Sequence, residues 1–354
     1  MKTMKKLVLA GLVLLASVVV LTGCQMEAGG QQGQQGPQGQ KVYKFTSEPR
    51  ILSDYKSPNN TDSEWTYVAF GDWPQTIKAG DVEVTEDEST KKEMGMFTYY
   101  LGSDGNYYVK AAENAYGKGD EYKYSNEAQA GQYRINTQWF KVEPIVWRVL
   151  NKNCSSTGKA LLLAENILTG GIEWDDSKNN YQESNIRKWL NGNSSDAVES
   201  DFEGDAGFLQ TAFTETAGNF IVPTIVDNSA QSTSDAAGKL PQATNAVCGD
   251  TEDKIFLLSE QEATMSDYGF DVYNAFGEGN TRIRVTTDYA KATGACQNAS
   301  GGLWWLRSPY CNSENPENLA FLIVSSGNAS DRSYFNDLKV GIVPALCVSV
   351  SDIK

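Results

Sequence analysis

Seven short apolar runs, separated by segments rich in Gly, Asn, Asp and Ser, constrain this chain most: YVAFGDW (67–73), VEPIVWRVL (142–150), KALLLAENIL (159–168), KIFLLSE (254–260), GLWWLRS (302–308), NLAFLIVSSG (318–327) and VGIVPALCVSV (340–350). They are brief and rich in branched and aromatic side chains, which predicts strands. Several lack clean alternation, as strands buried on both faces do. Two segments break the pattern. SNIRKWLNG (184–192) places Ile186, Trp189 and Leu190 at helical spacing with Gly192 at its end, and FLQTAFTETA (208–217) places Phe208, Leu209, Ala212 and Phe213 similarly. The expected fold class is α+β: mainly short twisted antiparallel strands with two short helices, in one globular domain over 42–354. The acidic, tyrosine-rich stretch 79–137 reads as a surface insertion with a hairpin around Ser103-Asp104-Gly105-Asn106.

The first residues run from a basic start through the apolar stretch Leu7–Leu21 to Leu21-Thr22-Gly23-Cys24. The run is too short to span a bilayer and ends in small residues, the pattern of an exported leader. The tetrapeptide resembles a bacterial lipobox, which implies cleavage before Cys24 and lipid on its sulfur. Two or three acyl chains, at about 0.8 kcal/mol per buried methylene, give stable anchoring. The AGGQQGQQGPQGQ segment that follows, within 24–41, reads as a solvated tether. The expected location is extracytoplasmic, held to a bacterial membrane through Cys24.

Composition narrows the chemistry. The net charge of −15 falls further when Lys2, Lys5 and Lys6 leave with the leader, which opposes binding to nucleic acid or to an anionic lipid surface. The chain has no histidine, and so lacks the commonest general base and metal ligand. No phosphate-binding glycine loop or nucleophile elbow is present, and no cofactor is expected. What survives is carboxylate chemistry, for which two suitably spaced acids suffice. The acid cluster Glu173, Asp175 and Asp176 beside Trp174 offers such a pair, or a loop capped by Asp176 or Ser184 ahead of the first helix. Export also permits disulfides among Cys154, Cys248, Cys296, Cys311 and Cys347. Cys296 and Cys311 are the candidate pair, and a bridge closing a loop of that size is worth about 3 kcal/mol. Cys347, within an apolar run, reads as a small buried hydrophobe.

Taken in order, FGDWPQ, VWRVL, ALLLAENIL, NIRKWLNG, IFLLSEQEA, TDYAKATGA, LWWLRSP and VGIVPALCV resemble a family of bacterial surface-lipoprotein domains of unknown function, over roughly 65–350. The resemblance implies a surface lipoprotein and transfers no activity. The closing motif departs from it: Ile342-Val343-Pro344 stands where Val-Arg-Pro is usual, so an arginine role there does not carry over. The layout of two helices with a tryptophan-rich strand near the end is similar to C-type lectin-like folds. Those folds often hold calcium through Glu-Pro-Asn and Trp-Asn-Asp motifs. Here Glu314-Asn315-Pro316-Glu317-Asn318 stands alone, so calcium binding is not implied.

GGLWWLRSPYC (301–311) then has two readings. Trp304 and Trp305 point to opposite faces of a strand, with Arg307 beside them pinning the following loop. Either both indoles are core, or Trp304, Trp305, Arg307, Tyr310 and Asn312 form a platform for a glycan or protein ligand. If both are core, the contact surface falls to the loops 169–183, 308–318 and 325–338. The expected function is a lipid-anchored binding or adhesion module. The alternative is an extracellular carboxylate-dependent glycan hydrolase.

Overall fold

The computed structural model describes residues 41–59, 65–154, 158–192, 206–233, 248–272, 274–277, 279–310, 318–329 and 331–353. The leader, the tether and Cys24 lie outside them, as do Cys311 and Asn312. In chain order the elements are β1 (Arg50–Ile51), β2 (Tyr67–Ile77), β3 (Lys92–Met94), β4 (Phe97–Leu101), β5 (Tyr107–Ala112), β6 (Thr137–Cys154) and β7 (Lys159–Ala164). Then come α1 (Asn185–Asn191), α2 (Phe208–Ala212), α3 (Glu215–Gly218), β8 (Thr224–Val226), β9 (Thr251–Asp253), β10 (Ile255–Phe256) and α4 (Asp288–Ala292). The last are β11 (Trp304–Tyr310), β12 (Leu319–Ile323), β13 (Asp331–Tyr334) and β14 (Ala345–Ser349).

These elements correct the α+β expectation with its two helices. The described fold is mostly β, 34% strand against 14% helical, with four helices rather than two and three antiparallel sheets. The reason is local. The segment expected as one helix over 208–217 is cut at Phe213, which is extended, and Thr214 caps α3 anew by accepting from the Ala217 N–H (3.2 Å). The fourth helix, α4, is a single capped turn: Thr287 Oγ1 accepts from the Ala290 N–H (3.1 Å). It is too short to write a periodic pattern. Only α1 has the anticipated form, with Ser184 as its cap and Gly192 ending it in the left-handed region at φ 90°.

β6, 18 residues long, organises the nine-stranded sheet. β5 and then β7 pair along one of its edges, and β2 takes the other. β14 follows β7 and β10 follows β14, while β4 and β3 extend the opposite end. The stretch 79–137 is therefore not only surface: the hairpin turning at Ser103–Asn106 puts β3, β4 and β5 into the main sheet, with Tyr99, Tyr107 and Val109 buried. Pro74 and Pro144 bring no N–H to the ladder, and the β2–β6 register shifts between Ala69 and Asp72 and again between Pro74 and Thr76.

The helices cover one face of this sheet around Trp73. Its ring lies 4.9 Å from Phe208 (α2), 5.0 Å from Phe97 (β4), 6.1 Å from Tyr289 (α4) and 6.4 Å from Trp189 (α1), centroid to centroid. Edge-on and tilted contacts of this kind add about 0.5–1.5 kcal/mol each beyond area burial. Buried indoles also cross-link distant segments: Trp73 Nε1 donates to Leu168 O (3.0 Å), Trp147 Nε1 to Phe70 O (2.6 Å) and Trp174 Nε1 to Leu306 O (2.9 Å).

The residues just after 41 dock on β2 through Asp72, which is 1% exposed. Its carboxylate accepts from Thr46 N (2.7 Å), Thr46 Oγ1 (2.7 Å) and the Tyr43 hydroxyl. Burial pushes its pKa up to about 6 in spite of these donors. The folded state thus holds a proton that the unfolded chain, titrating near 4, has released. The stabilisation is complete below about pH 4 and is lost as pH rises through 6. Asp72→Asn removes this titration. Between pH 7 and pH 4, wild type is expected to gain roughly 2–3 kcal/mol relative to the variant, read from denaturant melts at both pH values.

Candidate functional site

The tryptophan strand is core. Trp304 and Trp305 are both 0% exposed, so neither offers a ring face to a ligand. Trp304 Nε1 donates to Arg282 O (3.1 Å). Arg307 is buried with them and holds the 257–262 segment: Nη1 donates to Leu257 O (2.9 Å) and to Glu262, while Nη2 donates to Glu262 Oε1 (3.1 Å) and Asp227 O (3.3 Å). Burial lowers its pKa, and the Glu262 carboxylate more than offsets this. Tyr310 is partly exposed at the strand end, edge-on to Phe321 (5.1 Å), with the Arg332 guanidinium over its ring (4.7 Å).

The three candidate acids separate. Asp175 is buried, and its carboxylate is filled by donors from its own loop and from the start of α1: Ser177 N (2.8 Å), Ser177 Oγ (3.0 Å), Lys178 N (3.0 Å) and Asn185 N (3.3 Å). It shapes the entry to α1 and is buried away from solvent. Asp176 is exposed, and Glu173 sits half-buried on the other side of Trp174. Cys248 and Cys296 carry free thiols, and Cys296 Sγ accepts from the Tyr122 hydroxyl (3.6 Å), while Cys347 is buried in β14. Burial pushes the Cys296 and Cys248 thiols up, away from thiolate reactivity. Among the described residues no group of three or more acidic or cysteine side chains is placed to hold a metal.

A surface that the sequence reading did not single out forms where the segment from Asp271 to Arg282 meets the turn after β12. Arg282 is buried and its guanidinium is directed at main-chain carbonyls: Nε to Gly327 O (2.6 Å), Nη1 to Asp271 O, and Nη2 to Val272 O (3.0 Å) and Ala275 O (3.1 Å). Asp271 closes the base of the loop by accepting from Thr281 N (2.8 Å) and Thr281 Oγ1 (2.9 Å). Gly277 N donates to Ser326 O (2.9 Å), which joins the loop to the turn. Gly327 makes the approach possible. Its φ is +83°, and a Cβ there would fall 2.3 Å from Asn280 Oδ1. The loop is thus held by its backbone while Phe276 and Val272 stand 73% and 67% exposed. Asn298 is hydrogen-bonded to Ser325, next to the Ser326 that accepts from the loop.

A second polar centre is internal. Arg148 on β6 pairs side-on with Glu165 just after β7, Nε to Oε2 at 2.9 Å and Nη2 to Oε1 at 2.7 Å, with both side chains fully buried. The Glu165 carboxylate also accepts from Ser57 and from Asn59 Nδ2 (3.1 Å). Trp65 covers the Arg148 guanidinium at 4.7 Å from its ring centroid. Burial raises the Glu165 pKa, but Arg284 and Arg148 more than offset this, so it stays charged.

No curated relative and no solved structure matches the chain. A family model does, over residues 157–350, and its description is a domain of unknown function, DUF6273. The match begins between β6 and β7, so the Arg148–Glu165 pair and the β6–β7 ladder join the matched region to the strands before it. With more than half of its length inside that model, the chain belongs to the DUF6273 family.

Proposed function

We propose that this chain is a lipid-anchored, extracytoplasmic binding module of the bacterial surface, and that it contacts its glycan or protein ligand through the loop bearing Val272 and Phe276. The observation that carries the reading is the use of Arg282. A fully buried guanidinium is devoted to the carbonyls of a surface loop, and that loop presents two apolar side chains to solvent. Burying a cation is costly unless its hydrogen bonds are met, and here they are met by fixing a loop rather than a core. A pre-shaped loop with an exposed aromatic loses little entropy on binding, as recognition surfaces require. The lipobox and tether support placement outside the cell with freedom to turn.

The test is the double variant Val272→Asp, Phe276→Asp. Exposed positions of this kind change stability by no more than about 0.5 kcal/mol, so the melting temperature is expected to hold. Capture of ligand on glycan arrays or by bacterial surface proteins is expected to fall by more than about tenfold. Undiminished capture would remove the loop from the account.

A further inference from the structure

Arg284 lies beside the Arg148–Glu165 pair, and the two guanidiniums share one acceptor: Arg148 Nη1 and Arg284 Nη1 each donate to Thr281 O at 3.0 Å. Arg284 Nη1 also donates to Ile283 O (2.8 Å). The side chain is 0% exposed, yet its Nε and Nη2 have no partner among the described residues. These two N–H groups lie on the same edge of the guanidinium plane, the edge that receives a carboxylate side-on. In Arg148 that edge is filled by Glu165. Glu165 does not serve both: its Oε1 takes Arg148, Ser57 and Asn59, its Oε2 takes Arg148, and neither oxygen is hydrogen-bonded to Arg284. Among the described residues, two buried cations therefore share one carboxylate. Burial and Arg148 lower the Arg284 pKa to about 9, which leaves it charged at neutral pH. An uncompensated buried charge is among the costliest features a fold can carry. The Trp65 indole N–H, on the ring that covers Arg148, is buried without a partner as well.

We infer that the Nε/Nη2 edge of Arg284 is an internal site for a small monovalent carboxylate, bound side-on as Glu165 is bound by Arg148. The ligand completes a pair of parallel guanidinium–carboxylate contacts at the junction of the strand before β7, the segment after it and the 281–286 segment. Because Thr281 also closes the base of the Val272–Phe276 loop, occupancy stabilises the root of that loop. The site is separate from the contact surface proposed above and stands or falls independently of it.

Thermal melts of the full chain at fixed ionic strength and near-neutral pH, in sodium formate against sodium gluconate, test the site. The two anions share a carboxylate and a charge, and only formate is small enough to enter a closed interior. The melting temperature is expected to rise with formate concentration as binding to the folded state requires, and to stay flat in gluconate. Arg284→Met is expected to abolish the formate response. Arg284→Lys keeps the charge but loses the two parallel donors, and is expected to weaken the apparent affinity by about tenfold. Equal melting of wild type in the two salts, or a formate response unchanged in Arg284→Lys, overturns the inference.

Discussion

Glu165→Ala is expected to destabilise the protein by about 3–5 kcal/mol, enough to leave many domains of marginal stability unfolded at physiological temperature. The substitution removes the carboxylate from the side-on edge of Arg148 and from beside Arg284, the one that the two buried guanidiniums share among the described residues. It also removes the carboxylate oxygen that Ser57 and Asn59 share, leaving Asn59 Nδ2 its bond to the residue-165 carbonyl (2.7 Å), and so loosens the segment ahead of β2. Glu165→Gln keeps the shape and one acceptor, so it is expected to cost less than alanine while remaining clearly destabilising. The pair itself need not be stabilising relative to apolar side chains of the same volume. Arg148→Met combined with Glu165→Leu is therefore expected to recover part of the loss. Denaturant melts of the four proteins give these differences directly. An alanine variant within about 1 kcal/mol of wild type would show that the buried charges contribute little.

Trp305→Ala is expected to cost about 3–5 kcal/mol, the range for a large aromatic removed from a packed interior. The ring is 0% exposed, and its strand is held by β12 on one side and by Gly341 on the other, where Trp305 N donates to Gly341 O (3.1 Å). Collapse into the vacated volume is limited by both. Trp304→Phe isolates a smaller contribution. It keeps most of the apolar volume but leaves Arg282 O without its indole donor, at a cost of about 1–3 kcal/mol. Because Arg282 shapes the Val272–Phe276 loop, this variant is expected to weaken ligand capture as well as stability. An intact melting temperature in Trp305→Ala would reinstate the exposed-platform reading of GGLWWLRSPYC.

Strands were legible because their signal is compositional and repeated. Each of the seven apolar runs contains one, and the Ser103–Asn106 turn sits where the Gly–Asn signal put it. The helix count was not legible. α2, α3 and α4 are four or five residues long, shorter than the window over which a 3.6-residue period can be recognised; α3 and α4 start at threonine caps, and α2 and α4 pack on Trp73 through Phe208 and Tyr289. The role of 79–137 was obscured by its charged residues: Lys92, Glu93 and Lys110 are exposed on strands whose Phe97, Tyr99, Tyr107 and Tyr108 are buried.

For the site, sequence reasoning weighed the conspicuous indoles and acids and passed over lone charges inside apolar runs. Arg148 in VWRVL and Glu165 in LLAEN are such charges, and a charged side chain flanked by apolar ones on a two-face-buried strand demands a partner. Arg282 and Arg284 in TRIRVT carried the same signal. The partners of Arg148 and the Gly327 acceptor of Arg282 were not readable, because Glu165, Thr281 and Gly327 are brought to them by topology rather than by spacing. Exposure of Phe276 was equally hidden, since the loop has no periodic pattern from which a face could be read.

The measurement that bears most directly on the binding-module account compares ligand capture and hydrolysis by the same preparation of residues 42–354, as wild type and as the Val272→Asp, Phe276→Asp variant. The account predicts capture without turnover by wild type, loss of capture in the variant, and one shared melting temperature. Substrate hydrolysis by wild type, or capture that survives both substitutions, would contradict it.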